Sequence, residues 1–408
     1  MSLRISKTIR SRESIVVLAA VLAAPCAAQQ QLDRFTADVL SSAIDALARE
    51  EYGAARGVIA TLQRETLSPF ERGRVEQILF NVAYQERRYD EARLHLERAI
   101  GSGGLTEREV AQARYQGVQL LMVEERWHDG AAALEEWLAT TPQPDPAAYY
   151  LLAVAYYQSD EPAKALPAAR AAIERMEQPE EHWLALLTAL HLQQEQLQEA
   201  LPLLNRLIVV APAKKSYWLQ LSSVYGRIED YANALAIMQL AYNGGMLTES
   251  AEILRLADLL LFNDLPLRAG QVLEEALAAS AVARDETTYS KLAASWLEAG
   301  EFDKAMPALE QAAALAATGA PLVRLGQVHL QRDDWVNAEA ALGRALAKGG
   351  LRDAAEAQFL MGVALFGQER LNDAKFWFEQ SRSTPSHHDM SEQYLRAIAR
   401  ETRPAGAL

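Results

Sequence analysis

A small residue returns along almost the whole chain at a nearly fixed interval: Ala55, Ala92, Gly130, Ala165, Ala200, Ala234, Ala269, Ala305, Ala338 and Ala374. The steps between them run from 33 to 38 residues. A period of that size, held across ten positions, points to one supersecondary unit copied in tandem, each copy completing its neighbour's core. Other positions keep step with the small residue. Tyr217, Trp218, Leu221, Ser222 and Tyr225 precede Tyr231 and Ala234, and Met238 and Ala241 follow. Tyr289, Leu292, Ala293 and Trp296 precede Phe302 and Ala305, and Leu309 and Ala312 follow. Leu322, Leu325, Gly326 and His329 lead to Trp335 and Ala338 in the same way. Spacings of three and four put these side chains on one face of a helix, and a small residue lets two helices cross closely. Trp127, Trp218, Trp296, Trp335, Tyr225, Tyr231 and Phe302 are therefore expected in the core rather than in an aromatic cage.

These residues resemble the tetratricopeptide repeat (TPR), a helix–turn–helix unit of 34 residues. The resemblance covers about residues 36–385. It implies an all-α fold: a TPR solenoid of about ten repeats in a right-handed superhelix, closed by a C-terminal capping helix. The solenoid is assigned to residues 29–385, with its first three repeats the most degenerate, and residues 386–408 to the capping helix and tail. Tyr394, Leu395 and Ile398 have helical spacing within that last stretch.

Punctuation fits the same frame. Gly103-Gly104, Gly244-Gly245 and Gly349-Gly350 are placed where a second helix ends and a left-handed cap is needed. Thr106 with Glu109, and Asp353 with Glu356, have capping-box spacing for the helix that follows. Pro142, Pro212 and Pro385 are expected between repeats. Pro167, Pro202 and Pro307 each follow the small residue by two, and are expected near the first turn of a helix, where a missing N–H costs little.

The amino terminus reads as an address. Arg4, Lys7, Arg10 and Arg12 precede an apolar run from Ile15 to Ala24, then Pro25 and Cys26-Ala27-Ala28. Basic, apolar and small-residue regions in that order describe a secretory signal peptide over residues 1–28, cut after Ala28. The run is too short to span a bilayer, which takes about 20 residues. A lipoprotein modified at Cys26 is the alternative, although Pro25 occupies a place where such signals carry Gly, Ala or Ser. The chain is expected to be periplasmic, with no transmembrane segment after cleavage.

Charge excludes one class of partner. The chain has 40 Lys and Arg against 54 Asp and Glu, a net charge of −14. Removing the leader leaves 36 against 53, a charge of −17. Nucleic acid, which is held by neutralising phosphates, is not an expected partner. Loss of Cys26 would leave no cysteine, which suits an oxidising compartment. No nucleophile elbow, phosphate-cradling loop or zinc-protease motif occurs. His387-His388 with Asp389 is the one metal-like cluster, and a solvated turn accounts for it. The chain reads as non-enzymatic, with no cofactor.

In the TPR pattern, partners lie along the first helix of each repeat. Mapped onto this chain, that groove contains Gln77, Asn81, Tyr84, Tyr115, Gln119, Tyr150, Val154, Tyr157, Leu219, Leu254, Asp258, Gln327, Phe359, Val363 and Phe366. TPR proteins that clamp a C-terminal carboxylate need Lys and Asn there, and only Asn81 qualifies. The mapped groove is aromatic and aliphatic, which suits an apolar helix or extended peptide of a protein partner. Tyr150 and Phe359 could equally pack on the neighbouring repeat.

Residues 210–385 are similar to a narrower group, the periplasmic TPR proteins encoded beside the TonB–ExbB–ExbD energy-transduction system. Tyr217-Trp218-Leu219-Gln220-Leu221, Tyr225, Gly244-Gly245-Met246-Leu247, Leu265-Pro266-Leu267-Arg268-Ala269 and Asp334-Trp335 carry that similarity. It implies a non-enzymatic accessory of TonB-dependent uptake, with TonB, ExbB or ExbD components as partners. The alternatives are a scaffold for another envelope process, such as outer-membrane assembly or polysaccharide export, and a carrier of a small apolar ligand.

Overall fold

A computed structural model describes residues 32–401. The signal peptide, its cleavage site, Cys26 and the tail after residue 401 lie outside the described residues. Among the described residues there are 21 α-helices, one short 3-10 turn (Thr61–Arg64) and no strand. The all-α expectation and the ten hairpins are both observed.

The chain divides into two compact units, one ending at Pro179 and the next beginning at Glu180. Unit 1 holds four hairpins: α1 (Arg34–Ala48) with α2 (Tyr52–Ala60), α3 (Pro69–Gln85) with α4 (Tyr89–Gly101), α5 (Glu107–Val123) with α6 (Trp127–Thr140), and α7 (Pro146–Gln158) with α8 (Pro162–Glu174). Unit 2 holds six: α9 (Glu181–Gln193) with α10 (Leu197–Val210), α11 (Lys215–Arg227) with α12 (Tyr231–Asn243), α13 (Ser250–Phe262) with α14 (Pro266–Ala278), α15 (Glu286–Glu298) with α16 (Phe302–Leu315), α17 (Ala320–Gln331) with α18 (Trp335–Lys348), and α19 (Ala354–Gly367) with α20 (Leu371–Ser381). The last helix is α21 (His388–Glu401).

The small residues explain the hairpins. Each of the ten is the fourth residue of a second helix, and all are buried, the nine alanines completely. Five residues before each lies a turn residue in the left-handed region: Glu50, Arg87, Glu125, Asp160, Glu195, Glu229, Asp264, Gly300, Asp333 and Glu369, with φ from 55° to 75°. The N–H after each turn residue bonds back to a carbonyl five residues earlier. Leu265 donates to Leu260 O at 2.9 Å, and Glu301 to Trp296 O at 2.8 Å. This is the Schellman closure, which satisfies the carbonyls a helix leaves unpaired at its C-terminus. It usually takes glycine, yet here only Gly300 supplies one.

Packing differs between the units. In unit 2 one core cluster runs from α12 to α21, built around Leu256, Leu273, Trp296, Leu309, Leu342 and Phe378. In unit 1, Leu40, Ile59, Ile78 and Val82 form one cluster, and Phe80, Leu96 and Leu120 another, in the stretch where the repeat is most degenerate in sequence. Ion pairs link successive hairpins on the surface. Arg56 holds Glu86 and Glu91 at 2.6 Å each, Arg344 holds Glu310 at 2.8 Å, and Arg370 holds Glu339 at 2.8 Å. Pairs this exposed set register more than they add stability.

The capping helix forms as expected. Its Tyr394 ring stacks on Phe378 at 4.7 Å and 14°, and Ile398 is buried. Gly362 also packs on Phe378, and a Cβ there would lie 2.7 Å from the ring.

Two expectations need correction. Pro167, Pro202 and Pro307 are not in the first turn but are the sixth residue of α8, α10 and α16. There each removes an intrahelical bond to the carbonyl four residues earlier, a larger cost than at a helix start. Of the seven aromatics assigned to the core, Trp296 alone is fully buried. Trp127, Trp218, Tyr225, Tyr231, Phe302 and Trp335 are half-buried. Trp218 turns its Nε1–H to Pro212 O at 2.9 Å.

Capping boxes form at α5, at α3 and, between Glu249 and Glu252, at α13. Thr106 accepts from Glu109 N, and Glu109 accepts from Thr106 N. Ser68 and Glu71 do the same at α3. Asp353 caps α19 by itself, accepting from Ala355 N and Glu356 N, which leaves the Glu356 carboxylate for the neighbouring repeat.

Candidate protein-binding faces on the first helices

The residues that could meet a partner recur three, six and ten positions before the left-handed turn residue, on the first helix of each hairpin. Positions three and ten before it are seven apart, so they share a helix face.

In unit 1 this face is mostly consumed by packing. Arg74 Nη1 donates to Gln77 Oε1 at 3.0 Å, and its other nitrogen pairs with Glu109 of the next hairpin. Asn81 Nδ2 donates to the Gln77 carbonyl at 3.0 Å. Tyr84 lies between Phe80 at 6.0 Å and Tyr89 at 6.1 Å, and burial raises its phenol pKa. The Tyr115 ring is 4.7 Å from Trp137, whose Nε1–H donates to Ala111 O at 2.7 Å. Gln119 and Tyr157 are half-buried. Val154 has no exposed surface, and Tyr150 has 8%. These two are core, and Val154 cannot serve as a groove residue. The cause is α7 itself, which runs Leu151 to Tyr156 entirely buried, so the groove phase points inward like the rest.

Unit 2 is different. Leu219 and Leu254 are half-buried against its core. The seven-residue step from Leu254 reaches Leu261, and the equivalent residues on the next two first helices are Leu297 and Leu330. All three are half-buried against the same core. Sequence mapping missed them because it followed the positions six and ten before the turn in this region. The periodic signal at position three was there to be read. Polar groups beside this row are already matched. Asp258 pairs with Lys291 of the next first helix, Lys215 with Glu252 at 2.7 Å, and Gln327 Nε2 donates to Glu356 Oε1 at 2.8 Å. Tyr217 donates its hydroxyl to Glu181 at 2.6 Å, and burial together with that carboxylate raises its pKa. Leucines set among mutually satisfied charges present an apolar row with little polar desolvation to overcome.

The last first helix, α19, is already covered. Phe359 faces Phe378, His387 and Tyr394 at 5.7, 5.8 and 5.8 Å, and Phe366 meets Tyr394 edge-on at 5.3 Å. Val363 lies between them in sequence and is half-buried against the same core. The capping helix occupies this stretch of the mapped groove.

The histidine pair is split. His387 Nδ1 is 2.9 Å from Ser386 Oγ and 3.8 Å from Asp353, while His388 Nδ1 donates to Arg382 O at 3.0 Å. Among the described residues no group of three or more His, Cys, Asp or Glu is placed to hold a metal ion. No described helix is long and apolar enough to cross a membrane.

The tetratricopeptide repeat family profile matches residues 115–179 and 323–386. No curated protein matches the sequence. Among solved structures, similarity extends to the MamA protein, at 16% identity and a TM-score of 0.37, covering 44% of this chain and 94% of that one. A tetratricopeptide repeat protein from Parabacteroides merdae is 13% identical with a TM-score of 0.34, covering 62% and 99%. YrrB, a TPR protein with an unusual peptide-binding site, is 15% identical with a TM-score of 0.36, covering 45% and 90%. The matched stretches fall one in each unit, on hairpins of the geometry described above, and the chain carries tetratricopeptide repeats in both.

Proposed function

We propose that this protein is a non-enzymatic scaffold of the periplasm that binds protein partners of the TonB–ExbB–ExbD system and assists TonB-dependent uptake. The carrying observation is the apolar row Leu219, Leu254, Leu261, Leu297 and Leu330 on the first helices of unit 2. Such a row suits the apolar face of a helix or an extended peptide. The basic and apolar leader supports export, and the similarity over residues 210–385 supports the choice of system.

The test is crosslinking in the native envelope with a photoreactive residue at Leu297, followed by purification and identification of what is attached. Attachment of TonB, ExbB, ExbD or a receptor is the expected result. Attachment only to components of another envelope machinery would move the scaffold to that process. A stoichiometric lipid in place of any protein would make it a carrier.

A further inference from the structure

Unit 2 exposes a second apolar surface beyond the row on its first helices. It lies at the turns of two neighbouring hairpins, α11–α12 and α13–α14. Phe262 ends α13 with 63% of its surface exposed, and its ring lies 4.0 Å from that of Tyr231, the first residue of α12. Leu265 and Leu267, at the start of α14, are also exposed. Their backbone is rigid. Asp264 holds the left-handed turn, Leu265 N donates to Leu260 O at 2.9 Å, and Asn263 Nδ2 reaches across to Tyr231 O at 3.3 Å. The repeat does not require an aromatic here. At the equivalent seam between α18 and α19 the residue matching Phe262 is Gly367, tucked against Trp335.

The turns beside this patch carry acids. Glu229 and Asp264 on the two turns, and Glu298 beside the next, all stand in solvent. Three bases of these and the adjoining hairpin are already engaged. Arg227 pairs with Glu195, Arg268 faces Gln271 at 3.3 Å and Glu275 at 3.7 Å, and Lys304 sits over the Trp296 ring at 4.4 Å. An apolar patch beside exposed turn acids, on a chain of net charge −14, repels a second copy of this chain and attracts a cationic partner.

We infer that this turn edge docks a basic amphipathic segment of another protein. Its bulky apolar side chains meet Tyr231, Phe262, Leu265 and Leu267, and its Lys or Arg side chains meet Glu229, Asp264 and Glu298. The inference rests on the protein-binding reading above but uses a different face.

The experiment measures fluorescence anisotropy of two labelled probes against the whole protein at low salt: an amphipathic peptide of Leu and Lys, and the same peptide with Glu for Lys. The Lys peptide is expected to bind and the Glu peptide not to. Phe262→Ser with Leu267→Ser should weaken binding about tenfold, as losing a central aromatic contact does. Asp264→Asn with Glu298→Gln should weaken it about threefold and flatten its salt dependence. All four positions are exposed, so far-UV circular dichroism should be unchanged. Leu330→Arg, on the first-helix row, should leave binding of the Lys peptide intact. Failure of the Lys peptide to bind, equal binding of both peptides, or binding indifferent to the Phe262 and Leu267 changes would overturn the inference. Loss of binding in Leu330→Arg alone would overturn it while leaving the scaffold reading standing.

Discussion

Alanine in place of glycine should act with opposite sign at two helical positions of unit 2. Within a helix, Gly→Ala is worth about 1 kcal/mol in favour of alanine, from propensity alone. At Gly343 in α18 a new Cβ would sit 3.7 Å from Met361 Cε, an ordinary contact, so Gly343→Ala should stabilise by about that amount. At Gly362 in α19 the Cβ would sit 2.7 Å from Phe378 Cε1, 2.8 Å from Cδ1 and 2.9 Å from Cζ, where ordinary contact begins at 3.4 Å. The ring has little room to move, because Phe378 is fully buried and stacked on Tyr394 at 4.7 Å. Overpacking of this kind costs about 1–3 kcal/mol. Set against the propensity gain, Gly362→Ala should be destabilising by up to about 2 kcal/mol. The strain passes from Phe378 to Tyr394, so the loss should concentrate in α21. Native-state hydrogen exchange is the suitable assay, since a repeat array opens locally rather than all at once. Faster exchange across residues 388–401 in Gly362→Ala, with slower exchange in α18 for Gly343→Ala, is the expected pair. Adding Phe378→Leu to Gly362→Ala should recover part of the loss, a coupling that two independent sites would not show. If Gly362→Ala slows exchange as Gly343→Ala does, the Phe378 ring is not the steric limit at this crossing.

Three further outcomes are expected. Leu261→Arg and Leu330→Arg should abolish partner crosslinking from the photoreactive residue at Leu297 without unfolding the chain, because a half-buried Arg can carry its charge out to water; retained crosslinking would remove the row from the interface. Gly300→Glu should cost about 1 kcal/mol by placing a Cβ at a positive φ, read as a lower urea midpoint at unchanged slope. The Glu71 carboxylate accepts from Asp33 N and Ser68 N at 2.9 and 2.8 Å, and these bonds lower its pKa. A depressed folded pKa contributes stability that is complete above the unfolded value of about 4.3 and is lost as pH falls through the folded one. Protection of α1 and α3 should therefore fall below about pH 4, and Glu71→Gln should start weaker and lose that pH dependence.

The repeat was legible because its signal is steric. Ala165 and its nine equivalents sit where two helices touch, and a larger side chain at any of them would separate the hairpin. The same reading misplaced Pro167, Pro202 and Pro307. The small residue marks the fourth position of its helix rather than the first, so a proline two residues on falls in the second turn. The groove was legible only in part. A side chain at the groove phase is offered to solvent only if nothing else covers it. The helix around Val154 is buried on all sides, and the capping helix lies over Phe359 and Phe366. Leu261, Leu297 and Leu330 escaped because the groove positions followed in that stretch were the ones six and ten before the turn. The patch at Phe262 was invisible because its aromatic pair joins two repeats and belongs to neither.

The hairpin turns have one more consequence. Their shape is set by main-chain bonds and a positive φ, so the side chain at the turn contributes little to closing it, and nine different hairpins close without glycine. In unit 2, Glu195, Glu229, Asp264, Gly300, Asp333 and Glu369 are thus six matching stations, each exposed, on turns closed by main-chain bonds. A chain built this way can revise the chemistry of one edge, residue by residue, while its stacking stays as it is.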